Sequence, residues 1–139
     1  MKFPNWRSIV EHYEPTFSVP DIGDFWSLFE TGKYTINIAR FVNIPPHFHR
    51  HSREEFYFLE GSGNLYFSGD VALGADKKLY WDAKTRVRDF VEKGDVAIIP
   101  SNVPHSLETK EIYVELINRS PIKIPDGKLD EVPLIITNL

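Results

Sequence analysis

Ten prolines and eight glycines cut this chain into short runs, and the residues filling those runs suit strands better than helices. Val, Ile and Thr number 29 and the aromatics 19, against 15 for Ala and Leu together. β-Branched and aromatic side chains fit a pleated, half-buried surface, whereas long helices draw on Ala and Leu. Many short strands joined by turns therefore imply an all-β sandwich or barrel. At 139 residues the chain has the length of one domain, with no internal repeat or linker, and can bury a core without covalent staples. It has no cysteine, which excludes a disulfide scaffold, a thiolate zinc site, an iron–sulfur cluster and a cysteine nucleophile.

Charge and hydropathy narrow the partners. Sixteen basic against twenty acidic residues give a net charge of −4, so the basic footprint of a nucleic-acid binder is missing. No apolar run approaches the roughly 18 residues of a membrane span. The opening MKFPNWRSIVEHYE lacks the apolar centre of a secretory signal, and the expected location is the cytoplasm.

Local patterns place the elements. Asn5 is positioned to cap a short helix over Trp6–Tyr13, which Pro15 and Pro20 keep from extending. Strands are expected over Phe25–Glu30 and Lys33–Val42, with Pro45 and Pro46 breaking the ladder before the histidines. Glu54–Glu60 and Asn64–Ser68 flank Gly61-Ser62-Gly63, a hairpin signature. The segments LYW and RVRDFV on either side of Asp82–Thr85 suggest a further hairpin. Asp95–Ile99, Ser106–Thr109, Glu111–Asn118 and Leu134–Thr137 complete the strands.

The chemistry concentrates in PPHFHRHSREE. Residues two apart on a strand share a face, so His47 and His49 can converge on one ion. A carboxylate across the following turn can join them, and both Glu54 and Glu55 are available. Imidazoles with one carboxylate suit a divalent transition metal and differ from the all-oxygen cages of calcium.

The wider spacing resembles the cupin superfamily. HFHRHSREEFYFLEG matches the first cupin motif, G-x5-H-x-H-x3–4-E-x6-G, from its first histidine onward: His47-x-His49, four residues, Glu54, six residues, Gly61. Phe41 stands where the leading glycine would be. GDVAIIPSNVPHSLET resembles the second motif, G-x5-P-x-G-x2-H-x3-N, through Gly94, Pro100 and His105, with Asn102 replacing its second glycine and Thr109 its final asparagine. Asn tolerates left-handed backbone better than most residues, so the first replacement is mild. The resemblance implies a single-domain cupin barrel, a jelly roll or double-stranded β-helix of two facing, mostly antiparallel sheets. It divides the chain into an extension over 1–24 with a short helix, a barrel core over 25–118 and a tail over 119–139. It also implies one divalent transition metal (Fe, Mn, Ni or Zn) held between the sheets by His47, His49, Glu54 and His105. The alternative register, His49, His51 and Glu55, puts Ser62 where the motif has glycine.

Further candidates surround this set. Phe56 and Phe58 share the face of Glu54 and are expected to wall a substrate pocket. Tyr113, Glu115 and Ile117 share a face of their strand. If that face lines the barrel, Tyr113 contacts substrate and Glu115 serves as a base; a half-buried strand ordinarily turns its polar side to solvent. Arg86 and Arg88 share a face and are the clustered candidates for holding an anion, although paired charges on a ribbon are usually solvated. Three imidazoles and one carboxylate leave coordination positions open, which favours chemistry over a structural role. The function implied is an Fe(II)-type dioxygenase acting on a small molecule. Alternatives are a metal-dependent sugar or sugar-phosphate isomerase or epimerase, and a non-catalytic small-molecule-binding module. A homodimer is expected, formed through Trp6, Phe25, Trp26 and Leu134–Ile136.

Overall fold

The computed structural model describes residues 5–119 and 130–139. Among these residues one α-helix, α1 (Trp6–His12), precedes eleven strands. These are β1 (Phe17–Val19), β2 (Gly23–Glu30), β3 (Tyr34–His49), β4 (Arg53–Phe67), β5 (Val71–Leu73), β6 (Leu79–Asp82), β7 (Val87–Glu92), β8 (Val96–Ile99), β9 (His105–Arg119), β10 (Glu131–Pro133) and β11 (Ile135–Thr137). The large sheet runs β1-β2-β3-β9-β4-β7, with β10 added beside β3 and β8 beside β4; β11, β6 and β5 form a smaller sheet. Every pairing is antiparallel except β11 with β6. This is the strand-built jelly-roll barrel that the composition and motifs imply. The segment read as a C-terminal tail supplies β10 and β11.

Three long strands shape it. β3, β4 and β9 bend at register shifts between Phe41 and Asn43, Ile44 and His47, Phe58 and Glu60, and Gly61 and Gly63. Bulges of this kind let a continuous ladder turn a corner without losing its partners. The expected break at Pro45-Pro46 is one such bulge, where prolines lacking an N–H cost the ladder nothing. The expected hairpin at Gly61-Ser62-Gly63 is likewise absent: β4 runs through it. A Cβ on Gly61 would lie 2.5 Å from the Glu111 carbonyl oxygen, and one on Gly63 2.8 Å from that of Glu108. These glycines permit close approach of β4 to β9 rather than a chain reversal. Thr109, the departure from the second motif, donates its hydroxyl to the Ser62 carbonyl at 2.6 Å across the same contact.

The further hairpin also forms differently. Asp82 accepts from the Lys84 amide and Thr85 donates to the Asp82 carbonyl, fixing a 3₁₀ turn over Ala83–Thr85. That turn sends β6 to β5 and β11, and β7 to β4, so LYW and RVRDFV do not pair with each other.

The inner core gathers Ala39, Phe41, Phe56, Phe58, Leu107, Val114 and Leu116. On the outer face Trp26, Ile38 and Leu59 are covered by Trp6, Ile9 and Val10 of α1, with Tyr113 beside them. Asn5 makes no side-chain cap bond to α1, so this apolar seam, not capping, holds a helix too short to stand alone.

Candidate metal centre

His47 lies directly across the ladder from His105, which joins β3 and β9 at one end of the barrel. His49, two residues along β3, shares the face of His47. Glu54 enters at the start of β4, and all four side chains are buried. Their nearest nitrogen and oxygen atoms fall within 4.8 Å of one another. Glu54 Oε1 is 2.7 Å from His49 Nε2, 2.9 Å from His105 Nε2 and 3.8 Å from His47 Nε2. His47 Nε2 and His49 Nε2 are 3.1 Å apart.

The outer ring nitrogens explain why the rings face inward. His47 Nδ1 donates to the Pro45 carbonyl at 2.8 Å, His105 Nδ1 to the Val103 carbonyl at 3.0 Å and His49 Nδ1 to Asp130 Oδ2 at 2.8 Å. Carbonyl and carboxylate oxygens only accept, so each bond fixes a hydrogen on Nδ1 and turns Nε2 toward the common centre. This donor set of three imidazole nitrogens and one carboxylate, oriented and buried, fits a divalent transition metal. Burial alone would raise the Glu54 carboxyl, but hydrogen bonds from His105, His47 and His49 more than offset it and hold it well below the usual range. Burial pulls His49 down, yet the flanking Glu54 and Asp130 carboxylates push it up to about 9. The cluster is a concentrated demand for positive charge.

The two motifs are locked together. Asn102, in the left-handed region with φ of 64°, donates its amide to the His49 carbonyl at 2.6 Å. Asn in the place of glycine thus keeps the turn that carries His105 to the first motif.

Asp130 was not legible as a site residue, because it lies beyond both motifs and nothing in its neighbours marks it. Its Oδ1 accepts the amides of His51 and Ser52 at 2.7 and 3.0 Å while Oδ2 holds His49. Asp130→Asn is expected to lower metal affinity about 10- to 100-fold, the usual effect of removing a carboxylate behind a ligating histidine. Competition with a chromophoric chelator measures this, and an unchanged affinity would contradict it.

Of the two rejected ligands, His51 is tied to Asp130 through its backbone. Glu55 turns to the opposite face, paired with Arg119 and 3.7 Å from Arg53.

A cavity of about 310 Å³ adjoins the cluster. Its apolar wall comes chiefly from Phe17, Phe25, Phe41, Ile44 and Leu116, and His47, His49 and Glu54 form one end. Phe17 stacks on Phe25 at 4.7 Å, and Phe25 meets Phe41 edge-on. Phe56 and Phe58 lie deeper in the core, with Phe56 6.4 Å from the His105 ring. Arg86 lies over Tyr66, 3.9 Å from its centroid, and over Trp81; Arg88 is exposed on β7. Neither arginine lines the cavity.

Tyr113 and Glu115 are on the outer face, away from the cluster. Tyr113 packs on Trp6 at 5.1 Å. Glu115 is fully buried there, and among the described residues neither of its oxygens has a hydrogen-bond partner. Burial raises its carboxyl above the ordinary 4.5. Between the unfolded value and this raised one, the folded state binds more protons, so its contribution to stability falls as pH rises through that window. Glu115→Met is expected to add about 1–3 kcal/mol at pH 8, an advantage that shrinks toward pH 4. Urea midpoints across that range test it; a pH-independent difference would contradict it.

The family model for Cupin matches residues 29–113, more than half of the chain, and the protein belongs to the cupin family. Solved structures share its fold at low identity. Oxalate decarboxylase from Lactobacillus farciminis, in a formate complex, is 15% identical with a TM-score of 0.60, covering 90% of this chain and 34% of that one. The capsular polysaccharide assembling protein CapF from Staphylococcus aureus is 18% identical with a TM-score of 0.61, covering 92% of this chain and 34% of its own. KdgF from Halomonas sp. is 14% identical with a TM-score of 0.57, covering 80% and 92% respectively. The chain thus spans about a third of the first two proteins. No curated protein sequence matches it. Among the described residues, no helix is long and apolar enough to cross a membrane.

Proposed function

We propose that this cupin is a metal-dependent enzyme acting on a small organic molecule, with one divalent transition metal (Fe, Mn, Ni or Zn) on His47, His49, Glu54 and His105. The best-supported reaction class is an Fe(II)-type dioxygenase. The observation that carries this reading is the convergence of four buried donors, three of which, His47, His49 and Glu54, line one end of an apolar cavity. Structural sites are closed, whereas a ligand set facing a cavity leaves room for substrate. When bound, such an ion supplies Lewis acidity and, as iron, redox chemistry with dioxygen. Phe17, Phe25 and Phe41 bind the apolar body of the substrate and exclude water from the ion. Asp130 and the Pro45 and Val103 carbonyls keep the rings aimed.

The isomerase or epimerase alternative finds less support. A sugar phosphate needs a cation near the site, and among the described residues no Lys or Arg lines this cavity. The base suggested for it, Glu115, faces away. Loading chelator-stripped protein anaerobically with each metal, then following dioxygen uptake with a panel of small aromatic and aliphatic substrates, tests the proposal. Substrate-dependent uptake only with Fe(II) supports it. Tight substrate binding without uptake leaves a binding module and overturns the oxygenase.

A homodimer in the cytoplasm completes the proposal. Of the residues expected at its interface, Trp26 and Leu134 are buried within the chain while Ile135 is exposed. Val96 and Ile98 on β8, which among the described strands pairs with β4, are about half exposed and add a second apolar edge. Light scattering at twice the 16.1 kDa chain mass supports the dimer, and a monomer across concentrations overturns it.

A further inference from the structure

We infer that the cavity selects an apolar molecule carrying a protonated amine, with Glu131 as its counter-charge at the cavity wall. This deepens the proposed function and rests on it for the identity of the cavity as a substrate site.

Among the described residues, three carboxylates stand at or beside this cavity, and two are already engaged. Glu54 is shared among the three imidazoles. Both oxygens of Asp130 are taken, one by His49 and the other by the His51 and Ser52 amides. Glu131 is different. It sits on β10 opposite His49, lines the cavity, is exposed, and its carboxylate has no hydrogen bond or ion pair among the described residues. An unengaged carboxylate on a largely apolar wall favours a positive charge beside it.

The rest of the lining agrees. Among the described residues it holds no Lys or Arg, so an anionic head group would find positive charge only at the metal cluster, beside the Glu54 and Asp130 carboxylates, and would be repelled by Glu131. An ammonium gains the opposite, a charge-assisted hydrogen bond to Glu131. Phe17, which lines the same cavity and stacks on Phe25, offers a further aromatic attraction to a cation. The apolar body then lies against Phe25 and Phe41, and Asn118 supplies a neutral polar contact of the wall. A cavity of about 310 Å³ suits a compact molecule of this kind. Glu131 is thus a specificity-determining residue, not a metal ligand.

Three probes that share a benzyl body and differ in head-group charge test this: benzylamine, benzyl alcohol and phenylmethanesulfonate. Their binding is measured by NMR titration at pH 7, on both Zn(II)-loaded and chelator-stripped protein. Benzylamine is expected to bind at least fivefold more tightly than the alcohol, with the sulfonate weakest. Glu131→Gln should bring benzylamine to the level of the alcohol, leave the alcohol unchanged and leave Zn(II) content unchanged. Glu131→Asp should restore part of the preference. Phe17→Ala should weaken benzylamine and the alcohol together, which locates them in this cavity. Sulfonate binding equal to or tighter than benzylamine, or a benzylamine affinity indifferent to Glu131→Gln, overturns the inference. The two proposals fail separately: loss of metal uptake would overturn the metal enzyme while the charge preference is still read in stripped protein.

Discussion

His105→Ala is expected to lower metal affinity by more than about 100-fold, exceeding the loss typical for a supporting carboxylate. His105 is the sole contribution of the second motif to the cluster. Its ring is 1% exposed and is held by the Val103 carbonyl, so no neighbouring side chain can swing in to replace it. His51→Ala and Glu55→Gln should leave affinity nearly unchanged. His51 meets Asp130 through its backbone amide, which the substitution keeps, and Glu55 faces the arginines. Chelator competition on variants checked for native circular dichroism reads all three. A reversed order, with His51 and Glu55 required and His105 dispensable, would shift the ligand register and exchange the faces of β4.

Gly61→Val is expected to destabilise the fold by about 3 kcal/mol, because two costs coincide. The residue has φ of 92°, which a β-branched side chain rarely adopts, and its Cβ would enter the Glu111 backbone at 2.5 Å. That contact lies where β4 bends against β9, so relief requires parting the ladder. Gly94→Ala separates the two terms. Its φ is 94°, but a Cβ there meets nothing within 4 Å, so only the conformational cost of about 1 kcal/mol applies. Urea unfolding of both variants measures the difference, and equal losses would show that close approach at Gly61 is not what the bend requires.

The same glycine shows where sequence and structure part. Gly61-Ser62-Gly63 and Pro45-Pro46 carry the residues of a turn and a break, and a chain read locally stops at both. In a ladder that wraps around a core, those residues serve as bends inside strands, and only long-range pairing with β9 distinguishes the two uses. The cluster was more legible because strand periodicity is local: His47 and His49 share a face wherever the strand goes, and the family spacing added Glu54 and His105. Glu131 on β10 and Asp130 just before it arrive from the other end of the chain, so no local pattern joins them to His49. The cavity walls escaped for a similar reason. Phe56 and Phe58 do share the inner face with Glu54, but the wall beside the cluster is completed by Phe17 and Phe25 from β1 and β2. Glu115 lay outside both readings of its strand, since the outer face is neither barrel interior nor solvent but is buried beside the seam that α1 covers.

The most direct test of the central account is titration of chelator-stripped protein with Co(II), following the visible absorption of the bound ion. The account predicts saturation at one equivalent per chain, with a spectrum of nitrogen and oxygen ligation that changes when benzylamine or another cavity ligand is added. It also predicts that Glu54→Gln, folded by circular dichroism, loses the signal. An absence of saturable binding, or a signal indifferent to Glu54, would contradict a metal centre at the end of this cavity.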